Sequence, residues 1–240
     1  MKTVAEVRAE RLSYLEVQGR IDESSLVFIP LGALEFHGPH LPIGLDGLTA
    51  HGVCVAAARK YGGVVLPTFY QGTGGEHSNY PWTLMMSSPD LIRGVFLELL
   101  ERLEELGVKS VILLSGHFAP EQRAFLSDMG ASWNAKAGRP LRLEAISVAE
   151  FEASPIQPDH AATFESVLLE AVDPGLVHIE KLPDLINHPS EDPDDNPFGS
   201  HRHDKSHALW GAFGPDPRNA DLGKGSELLD AYVEWIGTLI

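Results

Sequence analysis

Residues Ser25–Asp46 read SLVFIPLGALEFHGPHLPIGLD. The apolar run Leu26–Ile29, continued by Leu31, is short and rich in strand-forming residues, and it predicts a buried β-strand. The run gives way at once to Glu35, His37, His40 and Asp46 in a setting of glycine and proline, so the strand empties into a polar loop. In open α/β sheets, ligands bind just outside the carboxyl ends of strands. Glu35, His37 and Asp46 bring carboxylate oxygen and imidazole nitrogen to that place, the donors that suit Zn²⁺, Mn²⁺ or Fe²⁺. A single carboxylate such as Asp46 can also bridge two ions. One such residue would read as a solvated loop side chain, and His40 as a turn cap; the set at one strand terminus reads as chemistry.

Working outward, the pattern repeats. Val64–Phe69 is a second buried strand, and it ends in Gln71–Thr83, QGTGGEHSNYPWT. Glycines such as Gly75 let backbone amides approach a ligand, and Glu76 and His77 add titratable groups beside them. The spacing matches neither a Walker A loop nor a dinucleotide fingerprint. Ser110–Leu114 is a third strand, and it discharges into Ser115-Gly116-His117. Three strands thus deliver acidic or imidazole groups to the same end of one sheet, which core packing alone does not explain.

The intervening segments read as helices: Val4–Val17, Gly47–Lys60, Ser88–Leu106, Glu121–Lys136, Ala161–Val172 and Ser226–Leu239, with Leu141–Val148 as a fourth strand. In the helix that begins at Ser88, the spacing puts Leu91, Val95, Leu99 and Leu103 on the buried side. Asp159, His160 and Glu165 sit near the start of the fifth helix. Glu165 is set among Phe164, Val167 and Leu168, and a carboxylate buried there needs a cation or a hydrogen-bond partner; the other reading is a helix-surface glutamate. From Leu182 to Gly225 the chain turns rich in Pro, Asp, Gly and His, a long excursion of the kind that serves as a lid or an interface. Its HRHDKSH run reads as a polar loop near the site, and Trp210 and Phe213 as candidate pocket walls.

A chain of 240 residues can bury a large core as one α/β domain or two small ones. The absence of a clear linker before residue 180 argues for one domain over residues 1–240. A formal charge of −16 disfavours a nucleic-acid partner, which would need a basic stripe, and favours attraction of cations. Cys54 is the only cysteine, so neither an intrachain disulfide nor a Cys-rich zinc finger is possible, and its apolar neighbours make it a core residue. The charged MKTVAEVRAERL start does not resemble a signal peptide, and no apolar run reaches transmembrane length, so the expected location is cytoplasmic.

These blocks together resemble the creatininase (creatinine amidohydrolase) family. LGALEFHGPHLPIGLD is similar to its signature, including the spacing from Glu35 to His37 to Asp46. GGEHSNYPWT, LSGHF and HAATFESVLLE follow in the family's order, so the resemblance spans roughly residues 25 to 170. It implies a three-layer α/β/α sandwich with a mainly parallel sheet, often assembled as a hexamer, and a site for two divalent ions, Zn, Mn or Fe. By residue matching, Glu35, Asp46 and His117 would hold one ion, and His37 with the bridging Asp46 the other. The family glutamate that completes the second ion falls on Ala119 here, and Glu165 is the expected substitute, because Pro120 restricts the reach of Glu121. Ala162 and Thr163 also depart from the family's usual Gly and Glu. Asp159-His160 matches its acidic-His pair, which makes His160 the expected proton shuttle, oriented by Asp159. Gly75, Glu76, His77, Phe118 and Trp210 are the expected substrate contacts, and amides of Gly72–Gly75 an expected oxyanion aid. The implied activity is metal-dependent hydrolysis of a carbon–nitrogen bond, other than a peptide bond, in a small and possibly cyclic amide. Formamide deformylation or peptide hydrolysis on the same site, and a non-catalytic metal-binding subunit, are the alternatives.

Overall fold

The computed structural model describes residues 5–75, 79–189 and 196–240. Its centre is a four-stranded, all-parallel sheet in the order β2-β1-β3-β4, formed by β1 (Leu26–Leu31), β2 (Val64–Val65), β3 (Ser110–Ser115) and β4 (Arg142–Ser147). Parallel strands need crossovers that cover both faces, so the strands are apolar on both sides. Along β1, Leu26 and Phe28 enter one core while Val27, Ile29 and Leu31 enter the other; Ile112 and Leu114 of β3 alternate with Val111 and Leu113 in the same way. The helices α2 (Leu45–Tyr61), α5 (Thr163–Val172) and α6 (Gly225–Gly237) cover the first face. The helices α1 (Tyr14–Ser24), α3 (Pro89–Glu105) and α4 (Pro120–Asn134) cover the second. The result is the expected α/β/α sandwich. No helix among the described residues is long and apolar enough to cross a membrane.

Several elements differ from the sequence reading, each for a local reason. The opening helix starts at Tyr14, not Val4, because Ser13 closes a capping box: its hydroxyl accepts from the Glu16 amide, and the Glu16 carboxylate accepts from the Ser13 amide at 2.8 Å. The residues before it lie along the sheet edge, where the Val65 amide donates to Val7. Only Val64–Val65 of the second strand is regular, since Pro67 has no amide to donate, although Leu66 and Phe69 still donate to Phe28 and Pro30 of β1. In α3 the buried stripe is Ile92, Phe96, Leu100 and Leu103, one residue round from the expected one, and Leu91 and Val95 are 67% and 53% exposed. Two apolar stripes compete on this helix, and the one carrying Phe96, whose ring meets Phe69 at 5.1 Å, faces the core. The fifth helix begins at Thr163 because Ala161 adopts a left-handed φ of 52°. Between Leu182 and Lys224 the described residues form short 3-10 turns only.

One packing feature positions the site. The first turn of α2 presses against the carboxyl ends of β1 and β3, where Gly32, Gly47 and Gly116 stand. A Cβ on Gly32 would lie 2.2 Å from the Gly47 nitrogen, and one on Gly116 would lie 2.0 Å from the Asp46 carbonyl oxygen. Gly116→Ala is therefore expected to destabilise the protein by about 3 kcal/mol in urea unfolding. Gly94→Ala, on the outer turn of α3 where a Cβ meets nothing within 4 Å, should instead gain about 0.5–1 kcal/mol. Equal stability of Gly116→Ala and the native chain would mean that helix and strand ends are not in this contact.

Candidate metal centre and its cavity

Three elements converge where β1 and β3 end. The turn after β1 supplies Glu35 and His37, the first turn of α2 supplies Asp46, and the turn after β3 supplies His117. A fourth element, the first turn of α5, adds Glu165. All five side chains are at most 4% exposed. The His37 Nδ1–H donates to the Glu35 carbonyl at 3.0 Å, which fixes the ring and turns Nε2 inward. Nε2 then lies 3.2 Å from Asp46 Oδ1 and 3.4 Å from Glu165 Oε2. His117 Nδ1 lies 2.9 Å from Glu35 Oε2 and 3.5 Å from Asp46 Oδ2. Three donor sets result, Glu35–Asp46–His117, His37–Asp46–Glu165 and Glu35–His37–His160, each with its ligating atoms within 4.8 Å of one another; Asp46 belongs to the first two, which are buried throughout.

The electrostatics of this cluster are those of a site short of positive charge. Burial alone would depress the pKa of both histidines, yet the carboxylates outweigh it. Glu165 and Asp46 hold His37 well above its ordinary value, and Asp46 and Glu35 push His117 up to about 10. Asp46 is itself drawn down, against burial, by His37, while burial raises Glu165. Both Asp46 oxygens and His37 Nε2 are buried without a well-aligned hydrogen bond. Buried polar atoms are normally satisfied, so atoms aimed at a common point with none suit a cation. His40, expected as a turn cap, is fully buried beside them, and burial followed by His37 lowers its pKa to about 4.

The cluster forms one end of a cavity of about 480 Å³. Gly75, Phe118 and His160 line it as expected, together with Asp159. A further wall is made by Phe213, a candidate for it, together with Phe198 and His203, whereas Trp210 is not in the lining and packs on Phe36 and Tyr80 at 4.8 and 5.2 Å. Glu76 and His77 lie outside the described residues. Two amides of the glycine loop are committed within the fold, Thr73 N–H to Gln122 Oε1 at 3.0 Å and Gly75 N–H to Glu121 Oε2 at 3.1 Å. Gln122, fully buried, also donates to Ser115, and so ties the loop to the end of β3. A polar residue in the first turn of an amphipathic helix was the only sequence sign of it.

Asp159 is also placed differently. Its carboxylate accepts from the Phe164 and Glu165 amides at 2.9 and 3.4 Å, capping α5, and burial raises its pKa well above the usual range. The Phe36 carbonyl lies 3.1 Å from His160 Nε2, with the His37 ring 4.5 Å away. Asp159 instead sets the turn in which the Ala161 amide donates to Glu165 Oε2 at 2.5 Å. Cys54 is a buried core residue, as expected, with its thiol pKa pushed up by burial.

Comparison with known proteins places this arrangement. The family model described as creatinine amidohydrolase matches residues 10–240. The chain is 26% identical to a creatinine amidohydrolase of Pseudomonas putida over 203 residues, 74% of this chain and 75% of that protein. Over a shorter stretch of 72 residues, 28% of this chain and 29% of the other, it is 33% identical to a mycofactocin precursor peptide peptidase of Mycolicibacterium smegmatis. A creatininase crystal structure has the same fold, with a TM-score of 0.75 at 22% identity over 98% of this chain and 96% of that one. The chain therefore belongs to the creatininase family of amide-bond hydrolases.

Proposed function

We propose that this protein is a binuclear metal-dependent amidohydrolase that cleaves the carbon–nitrogen bond of a small amide. The observation that carries the reading is the pair of buried donor sets sharing Asp46. Glu35, Asp46 and His117 would hold one divalent ion, and His37, Asp46 and Glu165 the other. Glu165 takes the role that Ala119 cannot fill: its Oε2 lies 3.4 Å from His37 Nε2, and the Ala161 amide and the Asp159-capped turn hold it there. Creatininases of this fold include a manganese form and a Zn–Zn form, and oxygen and imidazole donors accept zinc, manganese or iron. Divalent ions supply Lewis acidity toward an amide carbonyl and a more acidic water.

The protein's own side chains do the rest. His160 lines the cavity with its Nε2–H committed to the Phe36 carbonyl, so Nδ1 is the atom that accepts a proton. It takes one from the attacking water as the new carbon–oxygen bond forms, and returns it to the nitrogen as the carbon–nitrogen bond breaks. The products are a carboxylic acid and an amine. Phe118, Phe198 and Phe213 give the cavity apolar walls that exclude water around the reacting bond. A space of about 480 Å³ suits a small molecule, which favours a small amide over the peptide reading that the short mycofactocin-peptidase match would suggest.

Metal content per chain is expected to be about two equivalents in the native protein and to fall toward one in Glu165→Ala; elemental analysis checks both, and an unchanged content would remove Glu165 from the site. Glu35→Ala or Asp46→Ala should abolish turnover on a panel of small amides together with metal content, and retention of both would sink the assignment. Loading should also release protons. Because His37 and His117 lie above their ordinary values in the metal-free protein, they are charged at neutral pH and must lose those protons to become ligands. On the order of two protons per chain are therefore expected in weakly buffered solution, with apparent affinity rising with pH until His117 titrates near pH 10.

A further inference from the structure

The glycine loop that follows β2 is built around a residue outside the metal cluster. Gly74 and Gly75 have φ of 79° and 90°, and a Cβ on Gly74 would lie 2.4 Å from the Glu121 Cβ and 2.5 Å from its Oε2. The loop thus folds directly over Glu121, and the Gly75 amide donates to Oε2 at 3.1 Å. One amide occupies one of roughly four lone-pair positions on a carboxylate. Glu121 is solvent-accessible and lines the same cavity as Glu35 and His117, yet it belongs to none of the three donor sets. Among the described residues, no lysine or arginine lines that cavity.

Charge then decides what this carboxylate is for. The carboxylates of Glu35, Asp46 and Glu165 are committed to the candidate donor sets, and the negative charge of Glu121 stands outside them at the cavity wall. We propose that Glu121 is a specificity-determining residue that selects amides carrying a cationic nitrogen group on the leaving side, bound by a charge-assisted hydrogen bond while the carbonyl lies toward the metal cluster. This rests on the amidohydrolase reading for its chemistry, but not for its binding. An anionic group on the leaving side would meet the Glu121 carboxylate with no lysine or arginine among the described lining residues to offset it, and a neutral one would leave the carboxylate unused.

The test uses three formamides of similar length, N-(aminoethyl)formamide, N-propylformamide and N-formylglycine, on metal-loaded protein. The native protein is expected to show a KM for the amine at least tenfold below that for the propyl compound, the size of effect typical of a charged hydrogen bond. Glu121→Gln, which keeps the shape, should erase that ratio through KM more than kcat, with metal content unchanged. Gly74→Ala, which displaces the Glu121 side chain, should weaken the same ratio. Should no compound turn over, the fault lies with the amidohydrolase reading, and calorimetric binding of the same three compounds decides. A preference for the amine that Glu121→Gln removes upholds the proposal. Equal binding, no binding, a preference for N-formylglycine, or a ratio that Glu121→Gln leaves intact overturns it.

Discussion

The site depends on a gap. An aspartate at the start of a helix can reach groups at the ends of two neighbouring strands only if the helix comes closer to the sheet than side chains normally allow. Gly32 and Gly116 remove the two Cβ atoms that would stand in the way, and Gly47 leaves room for the Tyr70 and Thr68 side chains beside the same turn. Asp46 consequently enters between Glu35 and His37 from one strand end and His117 from the other. Its two oxygens face the two histidines, Oδ1 toward His37 and Oδ2 toward His117. The placement of the Asp46 carboxylate between the two histidines is therefore a consequence of backbone packing.

That packing gathers carboxylates where they repel one another and where water cannot screen them. Glu35, Asp46, Glu165 and Asp159 are all buried within one end of the fold, and charge so placed must be neutralised. The four are handled differently. Asp159 is driven toward its neutral form by burial while it caps α5. Asp46 stays ionised against His37, and Glu35 stands against His117. In the metal-free protein the cluster holds protons on its histidines where divalent ions would otherwise sit. With both histidines protonated the carboxylates are neutralised within the cluster, and any cation bound there would have to displace those protons.

How much of this the amino-acid sequence reveals depends on whether a residue acts through its neighbours in the chain or through distant ones. Strands ending in Glu35, His37 and His117 are legible because the apolar run and the polar break lie side by side. The parallel sheet follows from strands apolar on both faces. Asp46 was legible as a candidate ligand but not as part of a helix, since nothing local distinguishes the last loop residue from the first helical turn. The stripe that α3 buries was misread because two apolar stripes sit 100° apart, and only the packing of Phe96 on Phe69 decides between them. A contact of His160 with the Phe36 carbonyl was not legible for a related reason: the two lie 124 residues apart in the chain.

The long segment after Leu182 shows the same limit from the other side. Its composition marks it as an excursion, but composition does not say which of its aromatic and imidazole groups face inward. Trp210, the most conspicuous by size, stacks behind the wall on Phe36 and Tyr80, and the Tyr80 hydroxyl in turn meets His203 Nδ1 at 2.9 Å. The larger ring therefore serves as backing, and the smaller groups His203 and Phe213 face the cavity. Phe213 is fixed further by reciprocal backbone bonds with His160 at 2.9 and 2.7 Å. The excursion is thus tied directly to the residue expected to move the proton. A change in this segment would be felt at His160 through the backbone, without any new side-chain contact at the cluster itself.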